Sequence, residues 1–198
     1  MTATIDYYNK NAKEYSRSTT GVDFSATQER FLKYLPQYAK ILDFGCGAGR
    51  DTKAFLENGF DVDAIDGSEE LCKIASAYTG IAVKQMFFQQ LDAIAKYDGI
   101  WACASILHLP YDELVSVTKK MSVALKPSGI IYTSFKYGTF FGERNSRYFS
   151  DFTEQSFADF LKNVPELKCD EFWISTDVRP NRSEERWMNI ILSHKAVL

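Results

Sequence analysis

A chain of 198 residues, 45% hydrophobic and 25% charged, has room for one well-buried domain and is short for two. Its net charge of −3 argues against a broad nucleic-acid-binding face, and no apolar run approaches the roughly 20 residues that a membrane span needs. The four cysteines (Cys46, Cys72, Cys103, Cys169) are scattered and form no Cys-x-x-Cys pair. With His108 and His194 as the sole histidines, no metal-ligand spacing is present. The N-terminus has no basic segment followed by an apolar core. The expectation is a cytoplasmic protein with free thiols and no metal.

In chain order, Asp6 to Arg17 reads as a helix, Ser18 to Asp23 as a polar joint, and Ser25 to Tyr34 as a second helix with Phe24, Phe31, Leu32 and Leu35 at helical spacing. Strand Lys40–Phe44 runs into a glycine loop, and a helix from Asp51 to Asn58 stops at Gly59. A second strand, Phe60–Asp66, precedes Ser68, which caps a helix from Glu69 to Tyr78 closed by Gly80. Ile81–Phe88 reads as a third strand and residues 97 to 104 as a buried fourth. Asp112–Ala124 is a helix, residues 126 to 129 a turn, and Gly129–Lys136 a fifth strand. Tyr137 to Asp151 reads as a long loop and Thr153 to Lys162 as a helix. The last two strands fall at Glu171–Val178 and Trp187–His194, joined by the charged loop Arg179–Arg186. Alternation of this kind implies an α/β fold, a doubly wound and mainly parallel sheet that binds ligands at the carboxyl ends of its strands.

The glycine loop narrows the ligand. A dinucleotide fingerprint needs Gly-x-Gly-x-x-Gly, but here Gly45, Gly47 and Gly49 are followed by Arg50 at the last fingerprint position. Asp43 adds a carboxylate beside the loop. That charge repels a pyrophosphate and suits a cation, such as a sulfonium or an α-amino group. Asp66, about 20 residues on at a strand end, is placed to grip a ribose diol.

Ile41-Leu-Asp-Phe-Gly-Cys-Gly-Ala-Gly-Arg-Asp-Thr and Val62-Asp-Ala-Ile-Asp-Gly-Ser resemble the first two motifs of class I S-adenosylmethionine-dependent methyltransferases. Tyr97-Asp-Gly-Ile-Trp-Ala-Cys-Ala-Ser-Ile-Leu-His-Leu resembles the fourth-strand motif, and Leu125-Lys-Pro-Ser-Gly-Ile-Ile-Tyr the turn into the fifth strand. Within the class, the chain is most similar to the small tellurite-resistance and thiopurine-like small-molecule group. The resemblance covers about Tyr8 to Lys136. It implies a Rossmann-like seven-stranded sheet with the last strand antiparallel and N-terminal lid helices. The implied division is a lid over residues 1–38, a cofactor core over 39–136, and acceptor-side loops and final strands over 137–198. It also implies S-adenosylmethionine as cofactor. Asp43, Gly45, Cys46, Gly47 and Gly49 then face the methionine portion, Asp66 the ribose, and Gly67 and Ser68 the adenosine. Phe87, Phe88 and Gln89 fall at the adenine position, where this sequence lacks the family's acidic residue. Ala102, Cys103 and Ala104 pass beneath the cofactor. Tyr7-Tyr-Asn-Lys-Asn-Ala-Lys-Glu-Tyr15 resembles the lid helix, with Tyr15 closing over the site.

On the acceptor side, His108 is a candidate general base just beyond the fourth strand. Arg144, Arg147, Tyr148, Arg179 and Arg182 lie in two loops rich in arginine and aromatics. They suit a small acceptor, anionic or aromatic, held by bidentate guanidinium contacts; the alternative is charge paired with Glu143, Glu184 and Glu185. The reading is therefore a methyltransferase acting on a small molecule, with no nucleic-acid or membrane partner. The alternatives are RNA or protein methylation, a non-catalytic S-adenosylmethionine-binding module, and an NAD-dependent oxidoreductase, which Arg50 disfavours. Oligomeric state and the acceptor atom are not legible.

Overall fold

The computed structural model describes residues 2–180 and 182–196, so Asn181 of the charged loop lies outside the described residues. Helices α1 (Thr2–Thr19) and α2 (Ser25–Leu32) precede β1 (Lys40–Phe44), α3 (Arg50–Glu57), β2 (Asp61–Asp66), α4 (Glu69–Thr79), β3 (Lys84–Gln85) and β4 (Tyr97–Ala102). Then come α5 (Tyr111–Ala124), β5 (Leu125–Lys136), β6 (Phe141–Arg144), β7 (Arg147–Ser150), α6 (Glu154–Leu161), β8 (Leu167–Thr176) and β9 (Arg186–His194). Seven strands form one sheet in the order β3-β2-β1-β4-β5-β9-β8. β9 runs antiparallel to both of its neighbours and the remaining pairs are parallel. This is the Rossmann-like, doubly wound fold expected from the alternation of elements.

Period-2 alternation along the strands divides the core between the two faces of the sheet. Ile41, Trp101, Ile130 and Tyr132 face α2 and α3, where Trp101 stacks on Tyr132 at 4.0 Å and meets Phe31 and Phe55 edge-on. Leu42, Ile100, Ile131 and Phe135 point the other way, against α5 and α6. Local chemistry sets the helix ends. Ser68 Oγ accepts from Leu71 N–H at 3.2 Å to open α4, Gly80 closes it at φ +82, and Thr153 Oγ1 accepts from Ser156 N–H to open α6.

Four expectations are corrected. The third strand is two residues long rather than Ile81–Phe88, because at the sheet edge the chain leaves the ladder and turns into a 3-10 turn at Phe88–Gln90. Tyr137–Asp151 is not an unstructured loop: it holds the β6–β7 hairpin. Asn145 (φ +51) and Ser146 (φ +60) form the left-handed two-residue turn that matches hairpin twist. The fifth strand starts at Leu125 rather than Gly129, and β8 runs from Leu167 to Thr176 instead of starting at Glu171. No helix of the described residues is long and apolar enough to cross a membrane.

Candidate active site

A two-lobed cavity opens at the carboxyl ends of β1, β2, β4 and β5. The larger lobe, about 680 Å³, runs from Asp43 and Arg50 to the hairpin and the β8–β9 loop. The smaller, about 60 Å³, is lined by Asp66, Gly67, Leu71, Met86, Phe87 and Phe88. Tyr8, Tyr15, Gly45, Ala104 and His108 line both lobes, so they mark the junction.

The glycine loop forms this junction because its backbone turns where a side chain has no room. Gly45 sits at φ +89, and a Cβ there would lie 2.5 Å from that of Ser105. Tyr15 from α1 closes over the loop, its ring edge 3.0 Å from where a Cβ of Gly47 would stand. At the end of β2, Asp66 accepts from Gly47 N–H at 2.9 Å and Ser68 N–H at 2.8 Å. Burial pushes its carboxyl up to about 6 despite those hydrogen bonds.

Beneath the loop lies a second buried carboxylate pair. Asp43 accepts from Thr52 Oγ1 at 2.5 Å, and burial together with the neighbouring Asp51 raises it to about 8. Asp51 accepts from Gln28 Nε2, Trp101 Nε1 and both Nε and a terminal nitrogen of Arg50. Arg50 packs over the Phe24 ring at 4.3 Å. This last fingerprint position therefore carries an ion pair where a dinucleotide fold places a glycine. The cavity thiols are not nucleophiles at neutral pH: burial pushes Cys103 up to about 12 and Cys46 well above its ordinary value.

On the acceptor side, His108 is buried, with Nε2 2.9 Å from Tyr8 Oη and Nδ1 2.6 Å from the Tyr148 carbonyl. Burial lowers the imidazole to about 4. The arginines divide into two sets. Arg179 makes a bidentate pair with Asp177, Arg144 bonds Asp151 at 2.7 Å, and Arg182 lies 3.6 Å from Glu185. Arg147 instead lies over the rings of Tyr7 (4.4 Å) and Phe149 (5.2 Å), and its Nε is buried without a hydrogen-bond partner. Lys136 pairs with Glu185 over the Trp187 ring, and burial lowers its ammonium to about 8.

Tyr15, Asp43, Gly45, Cys46, Gly47, Asp66, Gly67, Phe87, Phe88, Cys103, Ala104, His108, Arg144, Arg147, Arg179 and Arg182 thus share one cavity. Five other candidates do not line it. Gly49 lets α3 approach α4, since a Cβ there would meet Thr79 at 2.7 Å. Ser68 is fully buried as a helix cap, and its hydroxyl donates to Asn9. Gln89 turns away to Glu113, and Ala102 is fully buried within β4. Tyr148 contributes its carbonyl, not its ring. The sequence reading gave Tyr8 and Lys136 no site role, although Lys136 ends the fifth strand at the ligand-binding edge of the sheet. Tyr8 was detectable, because Thr4, Tyr8, Ala12, Tyr15 and Thr19 fall on one helical stripe. Among the described residues, no group of three His, Cys, Asp or Glu side chains could hold a metal ion.

Residues 41–129 match a family model described as a methyltransferase domain. The Bacillus subtilis protein YqeM, assigned as a methyltransferase, is 31% identical over 118 residues, 54% of this chain and 48% of that protein. The N-terminal Xaa-Pro-Lys N-methyltransferase 1 of Xenopus tropicalis is 37% identical over 127 residues, 57% of each chain. The chain thus spans about half the length of the curated relatives it matches. The fold is shared with the 1,6-didemethyltoxoflavin-N1-methyltransferase of Burkholderia thailandensis, solved with 1,6-didemethyltoxoflavin and S-adenosylhomocysteine. That likeness has a TM-score of 0.77 at 20% identity and covers 97% of this chain and 85% of that one. These similarities show a methyltransferase-domain match over residues 41–129 and a fold shared with a solved methyltransferase.

Proposed function

We propose that the chain transfers a methyl group from S-adenosylmethionine to a small polar acceptor, anionic or aromatic, seated in the arginine-lined lobe. We place it with the small tellurite-resistance and thiopurine-like enzymes of the cytoplasm, with α1 and α2 as lid and the segment after Lys136 as the acceptor wall. The observation that carries the reading is the meeting of two chemically distinct lobes at one tyrosine-histidine junction.

The residues present fit the cofactor. Asp66 offers a carboxylate to a ribose diol, Phe87, Phe88 and Met86 offer apolar surface to a purine, and Gly45 and Gly47 give the loop a tight positive-φ turn that brings its backbone to the lobe. Asp43 lines the larger lobe near the loop; a cation seated there would draw its raised carboxyl back towards the ionised form, so the site favours a cationic ligand. When bound, S-adenosylmethionine supplies an electrophilic methyl group on a cationic sulfur. The protein's own part is to exclude water under Tyr8 and Tyr15, orient the acceptor, and manage its proton. Arg147 supports an acidic acceptor because its guanidinium has no carboxylate partner among the described residues.

Calorimetry with S-adenosylmethionine and with NAD tests the cofactor: binding of the first alone is expected, and no binding of it ends the reading. An acceptor screen that follows S-adenosylhomocysteine release then tests the acceptor. The Xenopus similarity favours a second reading, in which the acceptor is a protein N-terminus. A peptide beginning Xaa-Pro-Lys therefore belongs in the same screen, and its methylation would replace the small-molecule reading.

A further inference from the structure

The sequence marks His108 as a base, yet both of its ring nitrogens are occupied within the protein. The Tyr148 carbonyl can only accept, so Nδ1 carries the ring hydrogen and points it at that oxygen, 2.6 Å away. In the neutral ring Nε2 then holds a lone pair, and the group facing it at 2.9 Å is the hydroxyl of Tyr8. Tyr8 therefore donates its only proton to His108; its oxygen takes a hydrogen bond from Arg147 on one lone pair and keeps the other as an acceptor at the junction of the two lobes.

We propose that Tyr8 Oη is the atom that receives the proton of the methyl acceptor, with His108 Nε2 taking up the proton that Tyr8 gives away. The inference rests on the methyltransferase reading. As the acceptor X–H bond breaks, its proton bonds to Tyr8 Oη, and the electron pair on X is free for the new X–C bond. The former O–H proton of Tyr8 passes to Nε2. Tyrosine ends neutral, histidine ends as an imidazolium, and the Tyr148 carbonyl stabilises the new charge through Nδ1–H. The positive charge given up by the methyl donor, which leaves as a neutral thioether, is regained on the ring, so the net charge of the closed site does not change.

The surroundings suit this order of events. Arg144 and Arg147 face the ring from the hairpin, Tyr7 and Tyr15 flank Tyr8 on α1, and Asp66 acts on Tyr8 from β2. Burial and the two guanidinium groups keep the imidazole neutral while a cation occupies the junction. A hydroxyl or amine grows far more acidic as it is methylated, so a weak base suffices late in the reaction.

The test uses nitrogen-15 NMR of histidine-labelled protein, in which the two histidines are separated by His194→Gln. The expected result is an Nδ1–H tautomer, an Nε2 signal that moves in Tyr8→Phe, and a His108 titration midpoint that differs between two complexes. It should be higher with S-adenosylhomocysteine than with S-adenosylmethionine, by roughly one pKa unit or more, because only the second places a cation beside the relay. Equal midpoints in the two complexes, an Nε2–H tautomer, or an unmoved signal in Tyr8→Phe would each overturn the proposal. If calorimetry finds that neither compound binds, the methyltransferase reading fails and takes the relay with it.

Discussion

Gln28 Nε2 donates to Asp51 Oδ1 at 2.7 Å, so a helix that precedes the sheet holds the first turn after the glycine loop. The same carboxylate also receives Trp101 and Arg50, and it is almost fully buried. Removing it leaves a buried guanidinium without its counter-charge. Asp51→Ala should cost about 3 kcal/mol or more, whereas Gln28→Ala, which removes one charge-assisted hydrogen bond, should cost about 1.5–3 kcal/mol. Urea unfolding of the two variants measures both, and an equal, small effect would show that Arg50 finds another partner.

Asp66 should govern cofactor affinity rather than folding. Its carboxyl is held up at about 6, and it must be ionised to accept from two ribose hydroxyls. S-adenosylmethionine binding should therefore weaken roughly tenfold per pH unit below about pH 6. Asp66→Asn should lose on the order of 100-fold in affinity at neutral pH while keeping its far-UV circular dichroism. Calorimetry across pH 5 to 8 reads the profile, and a flat profile in the wild type would count against the assignment.

His108 gives a signature in stability rather than in binding, and it too is lost towards acid pH. The fold holds its imidazole at about 4, against 6.5 when exposed. Between those values the unfolded chain takes up a proton that the native state refuses. Stability is therefore lost as pH falls from 6.5 towards 4, by on the order of 3 kcal/mol for this group. His108→Gln should flatten that part of the stability curve relative to wild type. Denaturant melts at pH 4.5 and 7 compare the slopes, and parallel curves would contradict the buried neutral ring.

Arg147 and Arg179 should separate in kinetics. Arg179 is committed to Asp177 by two side-chain bonds, whereas Arg147 is held by aromatic rings and Tyr8 and has no carboxylate partner among the described residues. With an acceptor found by the screen, Arg147→Ala should raise its KM about 10- to 100-fold. Arg179→Ala should act mainly on the order of the β8–β9 loop. Unchanged acceptor kinetics in Arg147→Ala would remove the anionic-acceptor reading.

The cofactor half of the cavity was legible because its signals are local. Three glycines between an apolar strand and a helix, with an acid ending the next strand, fix both the elements and the loop's chemistry within 26 residues of chain from Ile41 to Asp66. The acceptor half depends on contacts between distant segments. The β6–β7 hairpin turns on Asn145 and Ser146 without a glycine in the turn, so its 10 residues from Phe141 to Ser150 carry no strong hairpin punctuation. Which arginines are paired was likewise hidden. Arg144 and Arg179 meet their acids seven and two residues away, through a hairpin and a turn that periodicity does not reveal. Tyr8 lay in a tyrosine-rich helix, and its role appears once His108 is brought across 100 residues of sequence to meet it.

Helix α1 is fastened on both flanks. Asn9 accepts from Ser68 at 2.7 Å on the cofactor side, Thr4 accepts from Tyr148 N–H at 3.2 Å on the acceptor side, and Tyr7 lies under Arg147. The adenosine-side lobe beneath it, about 60 Å³, is well short of the roughly 300 Å³ of an ordinary ligand pocket. If a nucleoside loads there, it is expected to shift a helix that also grips the hairpin, so that occupancy of one lobe alters the affinity of the other. Such linkage is reciprocal: the factor by which an acceptor changes S-adenosylmethionine affinity must equal the factor by which S-adenosylmethionine changes acceptor affinity.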